Sequence, residues 1–385
     1  MVLEAKKGQT SWLVVCYIIF LPLSWAAFSF GSFYRLWTIL SLFMFFILGR
    51  GNASLQTANM HLGKSWLTFV LYSVISVLWA ENAGSAFTEV LGMALLCAAA
   101  LIFASCGIED TERVLDNAWI IAGIGCLLLF FWGEREIIGD RETLIILGTP
   151  TDHNEFAGVF VVPIALAVYR IMKVKSLGIK VTHVLFVILE LYVILLTGSR
   201  GALLATIIAM VATVLTCRKV SLRYFVTAIV LLLLIVRLIE SFVLPMIPET
   251  VLDRFSIEAV EATGGSGRTD IWKSAWEKIS KGSLLRLFFG YGSGAELVVD
   301  NLGNARVMHN QLMQMLANYG IVGLVLYLRL VWVSFNNILR RNSRYIGAFC
   351  GMMALSMTLS MSPSYKPLWI LLIMAFLTSK PKNES

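Results

Sequence analysis

Three short stretches of this sequence gather residue types that handle anions and protons. The first is Thr197-Gly198-Ser199-Arg200-Gly201, a brief break between two apolar runs. So short a turn holds Arg200 at the edge of the apolar layer, where its planar fork of donors suits a phosphate. Ser199 and its flanking glycines allow close backbone approach. An arginine at such a helix end also snorkels to the surface with no ligand at all. The second stretch runs Thr263-Gly264-Gly265-Ser266-Gly267-Arg268-Thr269-Asp270-Ile271-Trp272. Its glycines give a bend, Thr269 or Asp270 caps the helix that follows, and Arg268 is placed to meet a second phosphate. Trp272 and Trp276 share one face of that helix, which suits either a lipid interface or a surface helix packed on a bundle. The third is Met308-His309-Asn310-Gln311, at the start of a late apolar run. A histidine there acts as a general base near neutral pH or as a hydrogen-bonded interface residue.

Other candidates are weaker. Gly290-Tyr291-Gly292-Ser293-Gly294-Ala295 falls short of a dinucleotide fingerprint, since alanine stands at the last glycine position and no strand–helix context surrounds it. It reads as a turn approaching a substrate. Asp152-His153-Asn154-Glu155 groups metal-ligand types at a spacing that matches no common metal signature. Glu190, Arg237, Glu240 and Arg329 lie within or near apolar runs, where ionisable groups are costly and default to functional hypotheses. Arg237 and Glu240 are spaced to pair along one helix, and Glu190 is expected to pair with Arg200 or Arg329.

The elements that position these residues follow from the composition. Of 385 residues, 58% are hydrophobic and only 14% charged, well below the quarter usual in soluble domains. Apolar runs long enough to cross a bilayer fall roughly at 11–30, 34–49, 65–80, 85–106, 115–133, 155–173, 181–197, 201–217, 223–244, 309–336, 344–362 and 366–379. In lipid each must close its own backbone hydrogen bonds, so each is expected to be a helix. The expected fold is therefore an all-α polytopic membrane protein of about 12 transmembrane helices. The whole of 1–385 forms a single membrane domain, and 245–308 is one large extracytoplasmic loop.

Lys6 and Lys7 precede the first apolar run without a clear small-residue cleavage site, so that run reads as a retained span. The net charge of +7 does not point to nucleic acid, because the cations sit in short loops between spans. Counted with the N-terminus inside, the inner loops hold Arg50, Lys64, Arg113, Arg170, Lys173, Lys175, Lys180, Arg218, Lys219, Arg223, Arg340, Arg341, Arg344, Lys380 and Lys382. The short outer ones hold Arg35, Arg135, Arg141, Arg200 and Lys366. Both termini then face the cytoplasm. The six cysteines lie in or beside spans and form no CxxC pair, which argues against a disulfide framework or a zinc site.

In layout and in motif order, the chain resembles the O-antigen ligase and O-antigen polymerase superfamily of bacterial membrane glycosyltransferases. The residues that carry the resemblance are Thr197–Ala205 (TGSRGALLA), Gly267–Trp272 (GRTDIW), Gly290–Gly294 and His309–Tyr327 (HNQLMQMLANYGIVGLVLY). It implies transfer of a glycan from a polyprenyl-diphosphate carrier to a glycan or lipid A core acceptor, in surface polysaccharide assembly (O-antigen, capsule or exopolysaccharide). The protein would be a multi-pass protein of the bacterial inner (cytoplasmic) membrane, with its active site facing the periplasm or exterior. No cofactor and no metal are implied. Arg200 and Arg268 match the diphosphate-holding arginines and His309 the loop histidine, with Ser199, Gly267, Gly292, Asn310 and Gln311 as expected substrate contacts. Several ligases carry a second histidine before the HN pair, where this chain has Met308; that departure tilts the reading toward polymerase. The rival from another class is a transporter or flippase of lipid-linked glycans, which would favour internal repeats and midplane sites. No repeat is evident, and the polar residues cluster at the outer edge. A scaffold of an envelope assembly complex is a third reading, and it would need no arginine–histidine set.

Overall fold

The computed structural model describes residues 11–28, 31–47, 60–105, 111–138, 141–217, 237, 241, 245, 247, 249–253, 267–298, 306–341, 343–363 and 365–377. The expected span at 223–244, with its Arg237–Glu240 pair, lies almost wholly outside them. The described chain is mainly helical. Among the described residues six helices are long and apolar enough to cross a membrane: His61–Trp79, Ala83–Ala104, Arg113–Trp132, His153–Lys173, Leu177–Leu196 and Gln311–Arg340. Phe33–Phe45 and Arg200–Thr216 are shorter apolar helices. The chain divides into two compact units. One comprises residues 1–118, 267–342 and 356–385, and the other residues 119–266 and 343–355.

In the first unit the helices are α1 (Ser11–Ile19), α2 (Phe33–Ile47), α3 (Met60–Ile75), α4 (Ala83–Ser105) and the start of α5 (Thr111–Trp132). Residues 11–30, expected as one span, instead break at a 3-10 turn, Leu21–Leu23, because Pro22 cannot donate to the preceding turn. A two-residue ladder, β1 (Ala27–Phe28) with β2 (Gly31–Ser32), then leads into α2. The core between α3 and the late helices is aromatic. Phe69 lies with its ring 5.8 Å from Tyr319 and 5.9 Å from Tyr327, and Trp66 lies 6.0 Å from Trp369. Such large rings bury extensive apolar area in offset and edge-on pairs.

In the second unit α5 continues into an antiparallel sheet of β3 (Glu134–Ile138), β4 (Arg141–Ile146) and β5 (Thr149–Pro150). This sheet was not expected. Residues 134–150 are too polar to enter the apolar layer, so their backbone pairs with itself. Helices α6 (His153–Gly158), α7 (Val161–Lys173), α8 (Leu177–Leu196) and α9 (Arg200–Thr216) follow. α7 is buried along nearly its whole first half, against α8 and α9. Glu190 on α8 is fully buried, and neither carboxylate oxygen has a hydrogen-bond partner, so the expected pairing with Arg200 is not made. A Cβ placed at Gly123 of α5 would lie 2.5 Å from Glu190 Oε1, which shows how closely the two helices approach.

The remaining described elements are α10 (Glu249–Asp253), α11 (Arg268–Lys281), α12 (Leu284–Phe289), α13 (Gln311–Arg341), α14 (Ile346–Ser356) and α15 (Lys366–Met374). Helix α13 is broken at Gly320, whose φ of 63 and ψ of −167 no helix accommodates. The span expected over 309–336 is present, with a kink at that residue.

Candidate functional site

In the first unit the site grows from α11. Gly267 precedes the helix at φ 73, a left-handed conformation that glycine adopts without a Cβ penalty. Arg268 is therefore the first helical residue. Asp270 lies in the first turn and Lys278 and Lys281 in the last, which complements the helix dipole. Lys281 also binds Glu277 at 2.5 Å, one turn earlier, and holds that carboxyl below its ordinary range. Trp272 stands one turn after Arg268, on the same face. Its indole N–H donates to the Met308 carbonyl at 2.7 Å. Met308 is itself buried in an apolar cluster with Ala275, Ile279, Leu297, Val298 and Ala317. The face of α11 that carries Arg268 is thus fastened to the residue immediately before His309.

His309 adopts φ 49, one of two non-glycine residues in the left-handed region among the described residues. That conformation is uncommon for a residue with a Cβ, and it persists where neighbours over-determine it. The neighbours here are identifiable. The Met308 carbonyl is held by Trp272. The Asn310 amide donates to Ser360 Oγ at 3.2 Å, and Asn310 Oδ1 accepts from the Met313 amide at 3.1 Å, capping α13. The Gln311 side chain is buried and accepts from the Met361 amide at 2.5 Å. Asn310 and Gln311, expected as substrate contacts, are engaged here as cap and clamp around His309.

The glycine-rich motif lies against the break in α13. The Tyr291 amide donates to the Ala317 carbonyl at 2.8 Å, and the Gly292 amide to the Asn318 carbonyl at 2.9 Å. These carbonyls sit at the end of the helical segment before Gly320, where the kink turns the following amides away. A Cβ at Gly290 would lie 2.4 Å from the Asn318 carbonyl oxygen, and one at Gly292 would lie 2.4 Å from Ala80 Cα. Ser293 Oγ and the Tyr319 hydroxyl share a buried hydrogen bond of 2.8 Å. Gly292 therefore lies in a packed backbone contact.

In the second unit, Arg200 opens α9. Ser199 is its N-cap, its hydroxyl accepting from the Ala202 amide at 3.4 Å and donating to Asn154 Oδ1 at 2.9 Å. Gly198, at φ 62, makes the reversal from α8. Asp152 caps α6 by accepting from the amides of Asn154 and Glu155 at 2.8 and 2.9 Å, and His153 Nδ1 bonds Thr143 Oγ1 at 2.9 Å. The Asp152–Glu155 cluster is a helix start that holds Ser199, and among the described residues no group of three His, Cys, Asp or Glu is arranged to hold a metal ion. The Ser199–Asn154 bond joins positions 45 residues apart, and no local pattern in the sequence announces it.

Compared with known protein families, residues 185–328 match the O-antigen ligase family model. That segment contains the whole of Thr197–Ala205, Gly267–Trp272, Gly290–Gly294 and His309–Tyr327. No curated protein matches the chain.

Proposed function

We propose, from the match of residues 185–328 to the O-antigen ligase family model, that the chain is a membrane glycosyltransferase of surface polysaccharide assembly. The donor is a glycan on a polyprenyl diphosphate, and the acceptor is a second glycan or a lipid A core. The acceptor hydroxyl attacks the anomeric carbon and loses its proton to His309. The bond from that carbon to the diphosphate breaks, and the diphosphate leaves with the electron pair. A single displacement of this kind inverts the anomeric centre. Fixed cations stabilise the charge that grows on the leaving diphosphate, the role that the family resemblance gives to Arg200 and to Arg268. His309 contributes as a positioned base.

The observation that carries this reading is the 2.7 Å bond from Trp272 to the Met308 carbonyl. It ties the helix that begins with Arg268 to a histidine held in a strained backbone conformation. The test is purified protein in liposomes with a polyprenyl-diphosphate-linked repeat unit, with and without a lipid A core. A ladder of longer lipid-linked glycans without the core identifies a polymerase, the outcome expected from Met308. Product formed only with the core identifies a ligase. Lipid-linked glycan that changes leaflet with no new glycosidic bond overturns the transferase reading in favour of a transporter.

A further inference from the structure

Helix α12 reads Leu-Leu-Arg-Leu-Phe-Phe and carries none of the residues used in the chemistry above. At helical spacing Leu284, Leu285, Phe288 and Phe289 share one face, and Leu287 lies on the other. Leu287 packs on the buried cluster of Ala275, Ile279 and Met308, whereas the four-residue face is exposed, Leu284 by 75% and Leu285 by 71%. Two leucines and two phenylalanines side by side form an apolar patch that needs a partner other than water.

The neighbouring span His61–Trp79 sets the depth of this face. Its own exposed stripe, Leu67, Leu71, Val74, Ile75 and Leu78, runs to the end of the helix, as a lipid-facing stripe does. Arg286 is fastened at that end. Its guanidinium donates to the Trp79 carbonyl at 3.2 Å and lies 3.6 Å from the Glu81 carboxylate. Phe289 lies deeper. Its ring centroid is 6.4 Å from that of Trp79, and its carbonyl accepts from the Tyr72 hydroxyl at 3.4 Å. Tyr72 precedes Trp79 by seven residues, which is about 10 Å further into the span. α12 therefore descends beside the last turns of the span instead of lying above them. Its backbone is finished for such a place, since lipid offers no hydrogen-bond partner. The Ser283 hydroxyl accepts from the Arg286 amide at 3.3 Å, and the Gly290 amide donates to the Arg286 carbonyl at 2.8 Å. Tyr72 serves the Phe289 carbonyl in the same way.

We propose that α12 inserts into the bilayer, with Leu284, Leu285, Phe288 and Phe289 among the acyl chains of the leaflet at the Trp79 end of the span. Arg286 stays at headgroup level, its charge facing Glu81. The segment 245–308, expected as an extracytoplasmic loop, then dips into the membrane at this helix. Leu287 and Met308 share one cluster, so the leaflet supports the residue next to His309. The insertion itself does not rest on the transferase reading.

The experiment uses full-length protein with its six native cysteines replaced, carrying Leu285→Cys or Lys281→Cys labelled with bimane. Each is reconstituted into phosphatidylcholine vesicles, either plain or brominated in the acyl chains. Bromine quenches a label that lies among the chains, and iodide on both faces of the membrane quenches one that lies in water. The Leu285 label is expected to lose fluorescence in brominated vesicles and to keep it in iodide. The Lys281 label, on the exposed end of α11, is expected to do the reverse. Quenching of the Leu285 label by iodide overturns the proposal, because the face is then in water. Quenching by neither also overturns it, because protein then covers the face, whether another segment of this chain or a second copy. Leu284→Cys, on the same exposed face, gives the same reading if Leu285→Cys fails to fold. The readout needs no glycosyl transfer, so failure of the transferase reading is distinguishable from failure of the insertion.

Discussion

At the scale of single residues, the sequence pointed to His309 by type and position, and the structure adds a conformation. In the proposed mechanism, replacing it removes a base whose contribution is commonly a hundredfold or more. His309→Ala is expected to lower transfer by at least that factor, with unchanged protein level in the membrane. Arg200→Ala and Arg268→Ala are expected to lower it by ~100-fold each, the usual loss for one fixed charge at a developing anion. Near-normal transfer in His309→Ala and Arg200→Ala together would remove the mechanism. Trp272 gives a subtler test. Trp272→Phe keeps the ring but leaves the Met308 carbonyl without its donor, a cost of about 1–3 kcal/mol at a buried group. As a positioning residue it is expected to reduce kcat while leaving the donor KM near wild type, because the base shifts and the arginines do not. A matched loss in both constants would make Trp272 a binding residue instead. Ser199 and Asn310, expected as substrate contacts, also cap α9 and α13. An oxygen-bearing side chain just before a helix is legible as a cap in any sequence, and the functional motif around each obscured that simpler signal.

At the scale of elements, apolar runs announce helices reliably because lipid leaves the backbone no other partner. The break in α13 is less legible. Gly320 is a lone glycine in an otherwise apolar run, and nothing nearby states that the amides of Tyr291 and Gly292 complete the carbonyls at the break. The sheet at 134–150 did carry a sign, since Ile137-Ile138-Gly139-Asp140-Arg141 places a Gly-Asp pair between strand-like residues. Reading the region only as the gap between two spans passed over it. The break and the glycine motif act as one device. A Cβ at Gly320 would lie 2.3 Å from the Phe288 carbonyl oxygen, and one at Gly290 would lie 2.4 Å from that of Asn318. Both positions also have positive φ. Gly320→Ala and Gly290→Ala are each expected to destabilise the protein by several kcal/mol through strain and collision together. The measurement is thermal unfolding in detergent. A melting temperature unchanged in both variants would mean that the two segments do not meet as described.

At the scale of the whole molecule, the sidedness of the membrane decides whether the chemistry is possible. Cations in alternate loops predict both termini in the cytoplasm and 245–308 on the opposite side. Residues 267–298 form α11 and α12, and their buried Ala275, Ile279, Leu297 and Val298 pack with Met308 and with Ala317 of α13. The positions of charge in short loops are fully legible in sequence, because they act during insertion and need no tertiary contact. The bond from Asn310 to Ser360 joins residues 50 apart and is legible only in the fold. Sidedness can be measured directly. In a background with the six native cysteines replaced, a cysteine at Asp270 is expected to react with a membrane-impermeant maleimide added to intact cells or spheroplasts. A cysteine at Asn342 is expected to react only after permeabilisation. The reverse pattern would put Arg268 and His309 in the cytoplasm. A polyprenyl-diphosphate glycan already exported across the membrane could not then be their substrate, and the transferase reading would fall however the single-residue variants behaved.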